Sequence, residues 1–336
     1  MTKCASFPAA RFGARWLASE AAPSLSSSPI VRTPKEIALR VACTQLLLTR
    51  WGIEAVVQSN SEKDAQEPRI HESFAALKRS IQEAGMEPWM TAREKSLMEK
   101  DLGKWSLEAD LAPLVPRWES FGTLLWSLKI ADRIPAYYQP FPREHLFQST
   151  AIIPAFPQTI DQFVQYFESG EGSRPSHQVD PEAFAREVNM AEAWFWRSRV
   201  QVVLDLKRQL DTSLIEQDTT LDAATKQERL QAVEQARRKI PSSLRTIMDN
   251  IETALEQATA RALEDGYISE AIKDDFAVQG RKYTDLSDHD FRDLAEFAEF
   301  RLATLAWLHG SQKDWEFERG SVKFISEVGS LWAPKA

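Results

Sequence analysis

The sequence predicts an all-α, mainly helical fold: an irregular multi-helix bundle crossed by one long proline-rich connection. Three observations carry this expectation. Thr33-Pro34-Lys35-Glu36 and Thr91-Ala92-Arg93-Glu94 are capping boxes, in which a Thr oxygen and a Glu carboxylate satisfy orphan backbone donors reciprocally. Apolar residues recur at three- and four-residue intervals through most of the chain. Glycine is scarce, 12 of 336 residues, and hairpin signals are missing, which disfavours turn-rich sandwiches, barrels and phosphate-cradling folds.

The first helix opens at Thr33 with Pro34 in its first position, where a missing N–H costs nothing. Ile37, Val41, Leu48 and Trp51 share one face, and Gly52 reads as its terminator. A second helix runs from Ile70 through Phe74, Leu77 and Ile81 to Gly85, and the Thr91 box opens a short one ending near Gly103. A fourth, from about Pro116 to Ile130, turns Trp118, Phe121, Leu125 and Leu128 inward, and the four are expected to form a small bundle. Residues 131–158 hold five prolines and the pair Tyr137-Tyr138, which reads as a long connection or lining loop rather than a packed element. Thr159–Phe167 is a short helix, Glu168–Gln178 a mobile stretch, and Asp180-Pro181-Glu182 caps a longer helix through Phe184, Val188 and Trp194 to beyond Leu204.

Lys207–Glu264 is highly charged, with Ile240, Leu244, Ile247, Ile251 and Leu255 at helical intervals and Pro241 at a helix start or break. Such a segment is either a projecting helical pair or, more commonly, a stripe packed on its own domain. Strand-like alternation is confined to Ser321–Val328. Ser287-Asp288-His289-Asp290 opens the last strong helix with a capping oxygen and acids at the positive end of the dipole, and Gly310 ends it.

The expected domain plan is a tail over residues 1–32, one helical domain over 33–315 divisible into sub-bundles 33–130 and 159–310, and a tail over 316–336. The first 34 residues hold Lys3, Arg11, Arg15 and Arg32 against Glu20, a net +3, so the rest carries −11 of the formal −8. A basic, acid-poor start interleaved with Phe7, Phe12 and Trp16 fits either a disordered tail or a mitochondrial targeting segment. The cytoplasmic reading is preferred to the mitochondrial one. An acidic balance argues against nucleic acid as partner. The longest uncharged run, Leu146–Ile160, is broken by Pro154 and Pro157, so no membrane span is expected. Cys4 and Cys43 are too few for a disulfide framework or a cysteine-ligated zinc site.

No nucleotide-cradling loop, zinc-binding helix or nucleophile-elbow pattern occurs, so no cofactor is expected. His71, His145, His177, His289 and His309 are scattered without an i,i+4 pair, and no metal site is expected. Asp274-Asp275 lacks a further acid one turn on and reads as a solvated or loop-capping pair. The eleven tryptophans say more. Trp118, Trp126, Trp194, Trp196 and Trp307 lie in helical segments, several beside Arg117, Glu119, Glu192 or Arg197. They build either a core with embedded ion pairs, the preferred reading, or an aromatic ligand pocket. In the second case Glu119 and Glu192 are the candidate acid–base groups, and Arg117, Trp126, Trp194, Arg197 and Trp307 the candidate ligand-binding ones.

Three stretches carry a resemblance: Arg117-Trp118-Glu119 with Leu124-Leu125-Trp126-Ser127-Leu128; Ala191-Glu192-Ala193-Trp194-Phe195-Trp196-Arg197; and Asp274–Val278 followed by Arg301-Leu302 and Leu305–Gly310. Their order and spacing, from Thr33 to Trp315, resemble the domain of unknown function 4272 family. Pro116, Lys129 and Ala306 depart from its pattern, where Trp, Gly and Asn are expected. The resemblance implies a mainly helical fold and transfers no activity. The leading functional expectation is a soluble helical binding or interaction protein, taking a protein partner or an apolar small molecule. The alternatives are an enzyme acting on a small molecule in an aromatic pocket, with Glu and Arg as acid–base or anion-orienting groups, and an assembly subunit whose interface is the 240–262 stripe.

Overall fold

The computed structural model describes residues 30–59, 63–168 and 177–325; residues 1–29 and 326–336 of the tails, and most of the stretch between Glu168 and Gln178, lie outside them. The fold is mainly helical, as the sequence predicts. In chain order the helices are α1 (Pro34–Ser59), α2 (Lys63–Glu83), α3 (Ala92–Glu99), α4 (Arg117–Ser127), α5 (Arg143–Ser149), α6 (Pro157–Glu168), α7 (Pro181–Gln209), α8 (Ser213–Gln217), α9 (Ala223–Lys239), α10 (Ser242–Glu264) and α11 (Asp288–His309). Ala193–Phe291 forms one compact unit and residues 30–192 with Arg292–Ile325 the other, the division falling within α7 and α11.

In the larger unit α1 is the central rod. Every residue from Ile37 to Leu48 is buried, and α2, α4 and α6 pack around it. The apolar face of Ile37, Val41 and Leu48 is therefore only part of its buried surface; Ala38, Leu39, Ala42, Cys43, Leu46 and Leu47 fill the rest. The Cys43 thiol is fully buried, and burial pushes its pKa up to about 12.

Gly52 does not end α1. Arg50 and Glu54, both fully buried, pair across it, and Glu54 accepts the Gly103 N–H at 2.9 Å. The helix must continue past Gly52 to hold that carboxylate in place, and it stops at Ser59. Both capping boxes form: the Thr33 N–H donates to Glu36 at 2.8 Å, and the Thr91 hydroxyl accepts the Glu94 N–H at 3.1 Å. α3 ends at Glu99, short of Gly103, which turns at a φ of +76° in the following loop. Residues 30–32, placed with the tail on sequence grounds, run against α11: the Val31 N–H donates to the Leu308 carbonyl at 3.0 Å.

All of α4 is buried, and its end sets a backbone constraint. The Lys129 N–H donates to Trp126 O and the Ile130 N–H to Leu125 O, each at 2.9 Å, with Lys129 at a φ of +58°. This is a left-handed Schellman closure, the place where Gly is normally found. The segment after it is not the unpacked connection expected from its prolines. It contains α5, and Tyr137, Phe141, Leu146 and Ile152 are buried. Phe141 sits on Gly122 of α4, where a Cβ would overlap its ring.

The smaller unit packs the second part of α7 with α8, α9, α10 and a three-stranded antiparallel meander, β1 (Ala271–Ile272), β2 (Asp275–Val278) and β3 (Arg281–Lys282). Ile272 pairs with Asp275 and Val278 with Arg281, so each turn has two residues. Gln279 and Gly280 both take positive φ, the mirror-image turn suited to strand twist. Strand was expected at Ser321–Val328 instead, and residues 321–325 carry none. Strands of two to four residues are too short to show alternation, and β2 is buried on both faces.

Lys129→Gly should stabilise the protein by about 1 kcal/mol, since glycine adopts the left-handed conformation without the Cβ clash. A raised urea midpoint would bear this out; a lowered one would mean that the Lys129 side chain contributes more than its backbone costs.

Candidate functional site

The sequence-nominated residues lie in buried centres that hold the fold. In the larger unit, Glu119 of α4 meets Arg301 of α11: Arg301 Nη2 stands 2.6 Å from Glu119 Oε2, both side chains essentially inaccessible. The guanidinium also donates to the carbonyls of Pro135 at 2.8 Å and Gln139 at 2.7 Å, while Glu119 Oε1 accepts the Phe141 N–H at 3.1 Å. The connection after α4 is thus clipped to two helices by one ion pair. Tyr137, beneath the Arg301 guanidinium at 4.8 Å, donates its hydroxyl to Glu187 of α7 at 2.9 Å. Burial pushes the Glu187 carboxyl up to about 7, against the opposing pull of the Tyr137 hydrogen bond and Arg301. Burial also drives the Tyr137 hydroxyl well above the ordinary range.

Arg117 pairs not with Glu119 but with Glu316, at 2.5 Å, and its guanidinium faces Trp315, Phe300 and Phe317. Burial lowers its pKa, the Glu316 charge opposing that effect. Glu316 accepts in turn from the Thr91 hydroxyl at 3.1 Å. Trp315 also lies under Arg40, which pairs with Glu94 at 2.6 Å. Trp307 stacks edge-to-face on Trp315 at 5.4 Å, with Arg32 over its ring at 4.8 Å. Trp126 is buried, and the buried Glu192 carboxylate accepts the Ile325 N–H.

In the smaller unit the partner of Arg197 is Asp275, at 2.5 Å through Nε and 2.9 Å through Nη2, both residues almost wholly buried. Asp275 also accepts from the Thr284 and Phe276 N–H groups, so it ties the meander to α7. Trp194 packs edge-to-face on Phe276 at 5.3 Å, and Arg197 lies over Tyr283 at 4.2 Å. Of the pair expected to be solvated or loop-capping, Asp274 meets Lys282 at 2.5 Å on the surface, and the buried Asp275 caps backbone N–H groups, that of Thr284 after β3 among them. Asp274 stands in the two-residue turn before β2, whereas Asp275 opens the strand and is buried.

The open feature of the smaller unit is a cleft of about 890 Å³ lined by the ends of α7 and α9, by α10, and by residues flanking the meander. Leu204, Leu210, Met248 and Leu255, all buried, contribute its apolar part. Around them stand Lys207, Arg208, Arg237, Arg238 and Arg245 among six acids, including Asp249 and Glu252. Lys207 bridges to Glu252 at 2.6 Å, and Arg237 donates to the Leu210 carbonyl at 2.7 Å. None of the seven nominated residues lines this cleft. Its sequence signal is the coincidence of basic last turns on two helices, Lys207-Arg208 and Arg237-Arg238-Lys239.

No family model, curated protein or solved structure matches the chain. Among the described residues, no helix is long and apolar enough to cross a membrane, and no cluster of His, Cys, Asp or Glu is arranged to hold a metal ion.

Glu119→Gln and Arg197→Met should each lower stability by about 3–5 kcal/mol, because the surviving partner stays buried without its counter-charge. Unchanged urea midpoints in both would show that these pairs do not hold the fold. Glu187 predicts a pH effect. Its proton is held more tightly in the folded chain than at the ordinary carboxyl value of 4.5, so its stabilising contribution is complete below that value and is lost as pH rises through about 7. Glu187→Gln keeps an acceptor for Tyr137 but cannot ionise, and should flatten the fall in Tm between about pH 5 and pH 8. A variant as pH-sensitive as the parent would assign that slope to other groups.

Proposed function

We propose that this chain is a binding protein whose partner, a polypeptide, is seated at the cleft of the smaller unit. One observation carries the reading: a large cleft with apolar residues at its base lies against α9, a 17-residue helix with no buried residue. A helix of that length is marginal in water unless a face of it is covered. The cleft chemistry favours a polypeptide over an apolar small molecule. Pockets for apolar ligands are lined mainly by hydrophobic and aromatic groups, whereas eleven of the seventeen residues here are charged.

Acid–base catalysis by Glu119 or Glu192 draws no support from their placement. The carboxylates of both are engaged by groups of the chain itself, and neither lines the cleft. The likeness to the domain of unknown function 4272 family is part of the same proposal; it bears on the helical fold and adds no chemistry.

A photo-crosslinking amino acid placed at Ile240, on the cleft, should form polypeptide adducts in a cell extract. The same group at the exposed Lys95 of α3 should not. Adduct yields equal at the two positions would overturn the reading.

A further inference from the structure

We infer that the polypeptide seated on this surface is a second copy of the chain, related by a two-fold axis so that α9 of each copy lies on α10 of the other. The inference rests on the binding role proposed above and names its partner. α9 packs chiefly on the five-residue α8, and its apolar residues Leu230, Val233 and the adjoining Ile240 are only half-buried. Such a helix presents a face that its own unit does not cover.

Charge identifies what covers it. α9 carries Lys226, Arg229, Arg237, Arg238 and Lys239 against Glu228 and Glu234, a net +3 on a chain of −8. The neighbouring α10 carries Asp249, Glu252, Glu256 and Glu264 against Arg245 and Arg261, a net −2, and all four acids are exposed. Attraction to the helix dipole accounts for the cations in the last turn of α9, while Lys226 donates to the Glu216 carbonyl at 3.1 Å and, with Arg229, stands near Asp218.

A basic and an acidic helix that follow one another in one unit, both lining the cleft, form a self-complementary patch. A two-fold contact covers α9 with the acids of the other α10, and α10 with the cations of the other α9, in one closed interface. Glu252 is already bridged to Lys207, but an unrelated acidic partner would cover α9 and leave Asp249, Glu256 and Glu264 of α10 unmatched. A helix of this length spans about 25 Å. Two such contacts give an interface at the small end of the specific range, so the dimer should be reversible and weakened by salt.

The test is sedimentation equilibrium of the full chain over a concentration series at low and high salt. The parent should dimerise, more weakly at high salt. One variant carries Arg238→Glu with Lys239→Glu, the other Asp249→Lys with Glu256→Lys; all four positions are exposed, Arg238 at 77%. Each variant alone should dissociate at least about tenfold more readily, since its two contacts now oppose like charges. An equimolar mixture should recover dimer, because the mixed pair matches opposite charges at both contacts. Circular dichroism of each variant checks that helix content is retained, and recovery in the mixture itself requires folded partners.

A parent that stays monomeric throughout, or an α10 variant that associates like the parent, would overturn the inference. If adducts at Ile240 then join the chain to a different polypeptide, the binding role stands and only the choice of partner fails. If adducts at Ile240 do not exceed those at Lys95, the binding role falls as well.

Discussion

The Glu119–Arg301 pair is the interaction on which the larger unit depends. Two helices far apart in sequence, α4 and α11, supply its charges, and the connection after α4 supplies the carbonyls and the amide that complete it. A guanidinium suits the position because its planar fork serves a carboxylate and two carbonyls in different directions, which a lysine ammonium on one flexible stem does not reproduce. The proline-rich segment owes its order to that fork. It has little repetitive structure, so its carbonyls need partners from elsewhere, and Arg301 supplies them.

The smaller unit repeats the device with different parts. Arg197 on α7 reaches Asp275 on β2, and that carboxylate also accepts two backbone amides of the meander and the segment after it. Three short strands could not stand alone in water. Their attachment to α7 and α10 through Asp275, Phe276 and Thr259 makes them part of a core. Charged residues inside helices that looked like catalytic candidates are thus the fasteners of irregular segments. The cleft of the smaller unit, by contrast, lies where charges are plentiful.

Much of the helical fold was legible in the sequence because its signals are local. Thr33, Thr91, Asp180 and Ser287 announce helix starts through hydrogen bonds that span three residues, and each of those bonds forms. The preference for buried pairs was legible too, since tryptophans beside Arg and Glu ask for partners. The partners themselves were not. Arg117 meets Glu316 and Glu119 meets Arg301, separations of 199 and 182 residues that no local pattern encodes. The meander escaped for the opposite reason: its strands are too brief for a period to show. The cleft escaped because its residues, taken one at a time, are ordinary surface charges, and only the meeting of two basic helix ends marks it.

Cys43 illustrates what full burial in a central helix does to chemistry. Oxidants and electrophiles attack the thiolate, and a thiol pushed up to about 12 on an inaccessible face of α1 stays protonated across the physiological range. Arg40, one turn away, pulls in the other direction without overcoming burial. While α1 is packed, this sulfur is a hydrocarbon in all but name, filling space beside Leu46 and Leu47 and recording nothing of the redox state around it. It acquires nucleophilic character only in chains whose core has opened, so its chemistry is a property of the unfolded ensemble rather than of the native protein.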